Sequence, residues 1–377
     1  MRINNKITMP GKNIHKEPFD EGTITKLEIF QRYAREWLPT FVMSQRKRVS
    51  IFDFFAGPGY DETGCPGSPI RILQEIKGQI QNIKSNGTII HLFFNEYDKK
   101  KYVQLLEAYK KFIDDNPEMR CANIRITPYN KKFEELYDKL EPEIGQVPSL
   151  VYLDQNGIKF IADKYFMSIV RKPQTDFLYY LSSSFFFRFG DTPEFREIVP
   201  QATMDEIKEK PYKYIHNEIL NYLKSKLPEG SPVRMFPFTI KKNAGVYGII
   251  FGASHIRAAD KFLRMAWQIN EVNGSANFDI DDDGKKDQLE LWGPQPIKKI
   301  DAFKKAIHGK IMDGEIHNNK EAFDFAIDKG HIGTHAKEEI AEMKRKKLIT
   351  YDCTSPKVNY EAAYQRNEIV EYKIVKK

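Results

Sequence analysis

An apolar run that ends in a glycine loop is the feature that most restricts the fold of this chain. Residues 49–55 are apolar except for Ser50 and Asp53, and Gly57 and Gly59 follow directly. A nearly continuous apolar segment is typical of a strand covered on both faces, which favours a parallel sheet. Glycine lets a ligand approach the backbone closely. The pattern therefore predicts a first strand whose carboxyl end carries a ligand-binding loop.

A helix is predicted directly after this loop. Ser68 is a candidate N-cap and Pro69 stands at the first helical position, so unpaired N–H groups would face the loop. The positive end of the helix suits an anion or a carboxylate. Glycine pairs after strands also occur in dinucleotide-binding folds and in plain tight turns, so a purely structural loop stays open.

Length and composition allow one large α/β domain and a smaller module. The chain has 377 residues, of which 41% are hydrophobic, and its three cysteines are far apart in sequence. No signal-peptide pattern or long apolar span is visible, which predicts a cytoplasmic protein without membrane contact. Because the cysteines form no metal-ligand pair, no metal site is predicted. The net charge of +7 is concentrated in residues 1–48, which hold ten Lys/Arg against five Asp/Glu. This excess could meet a polyanion, although a solvated face is the commoner explanation.

The later apolar runs predict an α/β fold with an open, mostly parallel sheet. Four more strands alternate with helical patterns, at 88–96, 121–127, 149–154 and 176–182. Two further strands, 233–240 and 246–253, flank a short turn and predict an antiparallel hairpin. That ending is typical of methyltransferase-like Rossmann sheets rather than of the all-parallel dinucleotide-binding sheet. An amphipathic helix at 23–43 is expected to pack on the sheet.

Polar residues follow the predicted strands. Glu96 ends the second strand, where an acid can accept hydrogen bonds from ribose hydroxyls, and a solvated strand-end acid is the equal alternative. Asn130 follows the third strand and Asp154 ends the fourth. Because the carboxyl ends of parallel strands share one edge of a sheet, these residues are expected near the glycine loop.

Five segments of the chain match a known family in order and spacing. They are 53–59, 67–69, Glu96, Leu153-Asp154 with Gly157, and 247–254. Together they resemble the three-Cys-motif partner family, TcmP, over most of the chain. The resemblance implies a fold similar to S-adenosylmethionine-dependent methyltransferases. It also implies a separate partner protein that carries a three-cysteine motif and looks like a radical-type metalloprotein; the cysteines of this chain are not that motif.

The resemblance implies roles for individual residues. The predicted cofactor-binding residues are Asp53, Gly57, Gly59, Ser68, Glu96 and Asn130, and the predicted catalytic residue is Asp154. S-Adenosylmethionine would lie over the glycines, with its ribose at Glu96 and its adenine near Asn130. The family usually has Asp-Pro-aromatic-Gly after the fourth strand, whereas this chain has Asp-Gln-Asn-Gly at 154–157. The prolines and the aromatic ring that base-amino methyltransferases use there are therefore missing.

The C-terminal part predicts a winged-helix-like module. Helical patterns at 300–312, 319–329 and 335–347 precede two strand-like pieces, and Lys344–Lys347 form a basic cluster that could meet phosphates. Because residues 301–377 hold fifteen Lys/Arg and thirteen Asp/Glu, protein docking or a purely structural role stays open. The predicted division of the chain is 1–44 (tail and packing helix), 45–275 (methyltransferase-like domain), 276–295 (acidic linker) and 296–377 (winged-helix-like domain).

Two further motifs resemble metal sites. Asp279, Asp281, Asp283, Gly284 and Glu290 fit the twelve-residue calcium loop, but a helix is not predicted after them, so an acidic surface loop is favoured over calcium binding. His331 and His335 are four residues apart, but the intervening glycine and threonine suggest that a helix begins between them.

The family resemblance and the residues together leave two functions of different classes open. In the first, the chain is a methyltransferase-like, S-adenosylmethionine-binding protein that acts with a three-cysteine-motif protein, with DNA or RNA as the expected target, in bacterial anti-phage defence. In the second, it is a non-catalytic scaffold or nucleic-acid-binding subunit with a degenerate methyltransferase fold. The fold alone does not decide between them.

Overall fold

The computed structural model describes residues 18–154, 162–183, 190–242, 245–283, 286 and 297–375, and a seven-stranded sheet forms its centre. The strands are β1 (Arg48–Asp53), β2 (Ile89–Asn95), β3 (Ile124–Tyr129), β4 (Ser149–Leu153), β5 (Thr175–Ser182), β6 (Arg234–Lys242) and β7 (Gly245–Ala253). Their order is β3-β2-β1-β4-β5-β7-β6. β1 to β5 are parallel, and β7 runs antiparallel to both of its neighbours. The predicted α/β sheet with a terminal hairpin is confirmed, and the arrangement is that of a methyltransferase-like Rossmann fold.

Helices connect the strands and cover both faces of the sheet. They are α1 (Glu21–Val42), α2 (Ser68–Gly78), α3 (Ile80–Asn86), α4 (Lys99–Asp115), α5 (Phe133–Leu140), α6 (Asp163–Val170), α7 (Pro193–Arg196), α8 (Gln201–Glu209), α9 (Ile215–Ser225), α10 (Ile256–Ile269), α11 (Lys299–Met312), α12 (Asn319–Asp328) and α13 (Gly333–Arg345). α1, α2 and α10 pack on one face, and α5, α6 and α9 pack on the other. Because successive strand residues point to opposite faces, Ile51 packs in the core under α1, α2 and α10, whereas Phe52 packs in the core under α5, α6 and α9.

The strand order places a switch point between β1 and β4. From β1 the chain proceeds outward to β2 and β3, and then returns to β4 on the other side of β1. The connections that follow β1 and β4 therefore leave the sheet in opposite directions, which opens a crevice at the carboxyl ends of these two strands. Residues that follow β1, β2 and β4 are brought together at this edge.

The C-terminal part packs directly on α10. It consists of α11, α12, α13 and a short antiparallel pair formed by β8 (Ile349–Thr350) and β9 (Lys373–Ile374). Trp267 of α10 donates its indole N–H to the carbonyl of Gly330 at 3.0 Å, and its ring contacts that of His335 edge-on, with 4.4 Å between centroids. Three helices and two strands thus occur where the sequence predicted them, whereas the winged-helix assignment and the domain boundaries stay predictions.

Some residues of the sequence motifs lie outside the described part of the chain. Gly157 of the fourth-strand motif, and Gly284 and Glu290 of the calcium-like loop, lie outside the described residues. Asp283 is buried and accepts hydrogen bonds from the Lys286 ammonium and the backbone N–H of Lys299. Within the described ranges no three His, Cys, Asp or Glu side chains are grouped to hold a metal ion, and no helix there is long and apolar enough to cross a membrane.

Candidate functional site

Three carboxylates meet at the crevice. Asp53 is the last residue of β1, and Glu96 and Asp154 directly follow β2 and β4. Burial is the main cause that raises the pKa of Asp53, hydrogen bonds from Ser68 and Phe55 oppose it, and the charges of Asp154 and Glu96 add to it, so that the pKa is about 7. The three acids that the sequence placed on separate strands therefore influence one another electrostatically in the folded chain.

Ser68 supports Asp53 instead of capping α2. The helix begins at Ser68 with Gly67 as its N-cap residue, so the prediction of Ser68 as N-cap is wrong. The Ser68 hydroxyl donates to Asp53 Oδ2 at 2.6 Å, and the backbone N–H of Phe55 donates to Oδ1 at 3.2 Å. The Ser68 hydroxyl therefore stabilises the buried carboxylate of Asp53 and does not cap the helix. The start of α2 has no side-chain cap.

Both glycines of the loop have a backbone conformation that favours glycine, and at Gly59 there is also no room for a side chain. Both have positive φ, +65° at Gly57 and +96° at Gly59, which side chains other than glycine rarely adopt. A Cβ on Gly59 would lie 2.5 Å from the Cβ of Ala108 in α4, well inside contact distance. Gly59 is therefore required by the packing of the loop on α4, and its predicted contact with a cofactor stays a prediction.

Glu96 turns toward the glycine loop. Its carboxylate accepts a hydrogen bond from the backbone N–H of Asp98 at 2.7 Å and interacts with the backbone N–H of Gly57. Burial raises the pKa of Glu96, and these backbone N–H groups together with Lys101 oppose the increase. The Glu96 side chain thus connects the loop after β2 to the loop after β1. In doubly wound sheets, an acid at this position can bind the ribose of a nucleotide cofactor.

Asn130 and Asn95 fix the shape of the second loop. Asn130 Nδ2 donates to the carbonyl oxygens of Glu96 at 2.7 Å and Tyr97 at 2.8 Å. Asn95, the buried last residue of β2, donates to the carbonyl oxygens of Phe54 and Lys131, both at 3.1 Å. Asn130 thus lies beside Glu96, as the strand order predicted, and its amide holds the backbone that carries Glu96. Sequence reasoning missed Asn95, although an amide within an otherwise apolar strand end was a visible signal.

Asp154 forms an ion pair that the sequence analysis did not predict. Lys26 Nζ lies 2.5 Å from Asp154 Oδ2, with 6% of the Lys26 side chain and 18% of the Asp154 side chain exposed. The same ammonium lies 4.3 Å from the centroid of the Tyr180 ring in β5, and this ring stacks on Tyr247 of β7 at 5.9 Å. The candidate catalytic acid therefore has a buried cation as its partner, and this cation lies against the Tyr180 ring.

The first turns of α1 bring Lys26 over the carboxyl edge of the sheet. The backbone N–H of Phe19 donates to Asp61 Oδ2 at 2.7 Å, which ties the start of the described chain to the loop after β1. Seven residues later Lys26 reaches Asp154. Lys26 shares a helix face with Phe30 and Tyr33, and a lysine on that apolar face was the signal for a buried partner.

The residues of this edge fit S-adenosylmethionine. The cofactor carries a sulfonium and an ammonium against one carboxylate, so its net positive charge suits an edge with three acids and one lysine. Glu96 could hold the ribose, Asp53 the ammonium, and the N–H groups that begin α2 the carboxylate. These are fits of chemistry to residues, and the cofactor role of each residue stays a prediction.

Comparison with known proteins does not show the family or the activity of this chain. No protein-family profile matches the chain, and no curated protein matches it. Among solved structures, a "putative O-methyltransferase from Klebsiella pneumoniae" is 12% identical, with 62% of this chain and 90% of that chain covered and a TM-score of 0.32. The METTL16 MTase domain is 13% identical, with 59% and 66% covered and a TM-score of 0.28. Scores this low carry no argument on activity, so the strand order is the observation that makes the fold methyltransferase-like.

Proposed function

We propose that the chain binds S-adenosylmethionine at the carboxyl edge of β1, β2 and β4 and acts as a methyltransferase. The observation that carries the proposal is the convergence of Asp53, Glu96 and Asp154 around the Gly57 loop, in a sheet with the methyltransferase strand order. An acid after β2 that faces the loop after β1 is the arrangement that binds the ribose of nucleotide cofactors in doubly wound sheets.

The chemistry of the transfer assigns one task to Asp154. The bound cofactor supplies an electrophilic methyl group on sulfur. When an N–H or O–H acceptor takes that methyl group, the acceptor loses a proton, and Asp154 is the carboxylate placed to accept it and release it to water. Lys26 holds Oδ2, so Oδ1 is the oxygen that would receive the proton. The ring of Tyr247, which stacks on Tyr180, would offer aromatic surface to a planar acceptor.

Binding of the cofactor is the first expected result. Calorimetry should detect both S-adenosylmethionine and S-adenosylhomocysteine, and Glu96→Gln should weaken both by about 10- to 100-fold, because a hydrogen bond to a charged group is lost. Glu107→Gln, which alters an exposed acid on α4, is the matched control and should bind as the wild type does. The absence of heat and of a thermal shift at millimolar ligand would contradict the proposal.

We further propose that the protein works with a three-cysteine-motif protein and with nucleic acid, in an anti-phage setting. The supports are the family resemblance and the basic residues of the N-terminal part and of α13. In the structure Arg345 and Lys346 pair with Glu342, at 2.5 and 3.3 Å, and Lys344 donates to the carbonyl of Tyr351. Both paired cations remain largely exposed, and Lys347 beside them is exposed as well. They can therefore exchange a carboxylate for a phosphate.

Charge reversal at the end of α13 should reduce nucleic-acid binding. The triple change Arg345→Glu, Lys346→Glu and Lys347→Glu is expected to weaken duplex or RNA binding at low salt and to flatten its dependence on salt, because fewer counterions are released. The control is Lys110→Glu, Lys111→Glu and Arg120→Glu, which makes the same change in charge on exposed residues of another surface. An equal loss of nucleic-acid affinity in both triple variants would mean that only the net charge matters. Wild-type binding that does not depend on salt would favour a protein partner.

A non-catalytic partner role is the second candidate, and one observation favours it. The Lys26–Asp154 pair engages the carboxylate that catalysis would need, and it does so with a buried lysine from a helix that lies across the edge. In that role the chain would bind the three-cysteine-motif protein at the crevice and would not transfer a methyl group. The Asp154 variants described in the Discussion separate the two functions.

A further inference from the structure

A second cavity lies at the opposite edge of the sheet from the glycine loop. Its volume is about 250 Å³. Asp176, the second residue of β5, and Arg46, which precedes β1, mark the amino ends of the parallel strands, and Ser254 follows the antiparallel β7. The length of the strands therefore separates this cavity from Gly57 and Glu96. A cofactor bound over the glycine loop would leave it unfilled.

The walls of the cavity are aromatic. Tyr33, Trp37 and Phe41 of α1 form one side, and Tyr360 of the C-terminal part forms another. Trp37 and Phe41 are in contact, with 4.8 Å between ring centroids. Flat apolar surfaces from two parts of the chain suit a planar ring. The cavity therefore fits a ligand with one ring system.

A buried acid lies among these rings. The Asp176 side chain lines the cavity although only 7% of the residue is exposed, and its Oδ2 accepts the Tyr33 hydroxyl at 2.6 Å. Burial raises the pKa of Asp176 to about 7, and the nearby Lys261 ammonium opposes this increase. The methyl-transfer chemistry at the other edge has no use for this group. A carboxyl in an aromatic pocket can recognise a ring that carries an amino group.

Cations surround the cavity. Arg46, Arg257 and Lys261 all line it, and the Arg257 guanidinium lies 5.2 Å from the centroid of the Tyr360 ring. Lys261 is held by the carbonyl of Glu36 at 2.6 Å, so the two arginines are the groups better able to reach a ligand. Arg257 also lies in the first turn of α10, a 14-residue helix whose positive end points to the same place. An anionic group, and a phosphate above all, fits here.

The backbone at the cavity is unusual in two places. Gln174, which lines the cavity, has φ of +52°, and Gln45, between the lining residues Ser44 and Arg46, has φ of +56°. Residues other than glycine seldom adopt this conformation, and such positions concentrate at ligand sites. The two loops that carry them are thus held in a shape that local sequence does not favour.

We propose that this cavity binds a nucleoside monophosphate. The base lies beside the half-buried side chains of Phe41 and Tyr360 with its amino group at Asp176, and the phosphate lies at Arg46 and Arg257. The ligand is either a free mononucleotide or the 5′-terminal nucleotide of a nucleic-acid strand, which present the same chemistry. Bases with an exocyclic amino group bind better than uracil, whose carbonyl oxygen would face the carboxyl.

The test is calorimetric titration of the full chain with AMP, CMP, GMP and UMP. Saturating S-adenosylhomocysteine is present throughout, so that the glycine-loop edge is blocked. The three amino-bearing nucleotides are expected to bind at least about ten times more tightly than UMP, and adenosine without its phosphate at least about ten times more weakly than AMP. Absence of nucleotide binding in the presence of S-adenosylhomocysteine would overturn the proposal.

Two variants locate the ligand. Arg257→Gln is expected to weaken AMP by more than ten-fold and adenosine hardly at all, whereas Asp176→Asn, which still accepts from Tyr33, should reduce the preference for amino-bearing bases. Arg120→Gln, an exposed arginine far along the chain, is the matched control. Equal affinities in Arg257→Gln and Arg120→Gln would overturn the assignment. Competition of AMP by a 5′-phosphorylated oligonucleotide, but not by its 5′-hydroxyl form, identifies a strand end as the source; without competition the source is the free nucleotide.

Discussion

The Asp154→Asn variant is expected to lose methyl transfer by about 100-fold or more while it still binds S-adenosylmethionine. The amide cannot accept the proton that the acceptor releases, and a positioned general base contributes about 10²- to 10⁴-fold. Release of S-adenosylhomocysteine in mixtures with the partner protein and nucleic acid measures turnover, and calorimetry measures cofactor binding. Turnover that survives the change would favour the non-catalytic role.

The same variant should also be less stable, which can be measured without a substrate. Asn leaves the ammonium of Lys26 buried without its counter-charge, and breaking a buried pair costs about 3–5 kcal/mol; the 18% exposure of Asp154 places the expected loss at the lower end. Urea unfolding of the wild type, Lys26→Met, Asp154→Asn and the double variant forms a double-mutant cycle. The double variant is expected to be more stable than Asp154→Asn alone. A coupling near zero would contradict the ion pair.

The second large effect is expected at the glycine loop. In Gly59→Ala the new methyl group would meet Ala108 at 2.5 Å, and the residue would be held at φ of +96°. Overpacking costs about 1–3 kcal/mol and the left-handed backbone about 1–2 kcal/mol, so we expect a loss of about 2–5 kcal/mol in the free energy of unfolding. Cofactor binding should fall with it, because the loop would move away from α4.

A matched variant separates the two contributions. Gly64 has φ of +83° and open space where a Cβ would lie, so Gly64→Ala should show the backbone contribution alone. Ala108→Gly in the Gly59→Ala background should restore most of the packing contribution and leave the strain. If Gly59→Ala and Gly64→Ala were equally stable, the close contact with Ala108 would play no part. Chemical denaturation at one pH measures the free energy of unfolding of the wild type, of Gly59→Ala, of Gly64→Ala and of the double variant Gly59→Ala with Ala108→Gly.

The order and type of the elements were readable from the sequence because local patterns determine them. Apolar runs such as 49–55 end at glycine or acidic residues, and the structure has strands at each predicted place, with ends shifted by a few residues. The rule that parallel strands expose their carboxyl ends at one edge also brought Asp53, Glu96 and Asp154 together correctly. Periodicity and strand polarity need no knowledge of distant contacts, which is why these predictions succeeded.

Partners across the fold were decided only by tertiary structure. Ser68 fits the N-cap pattern, but the folded chain places it beside Asp53, and a hydrogen bond to a buried acid outweighs a cap that water can replace. Lys26 meets Asp154 over a separation of 128 residues, and Asp176 meets Tyr33 over 143. Such contacts depend on how α1 lies across the sheet. The sequence by itself therefore determined the strands, their polarity and the edge that carries the acids, whereas packing of distant segments decided which charges are neutralised, which glycine must lack a side chain, and where the second cavity forms.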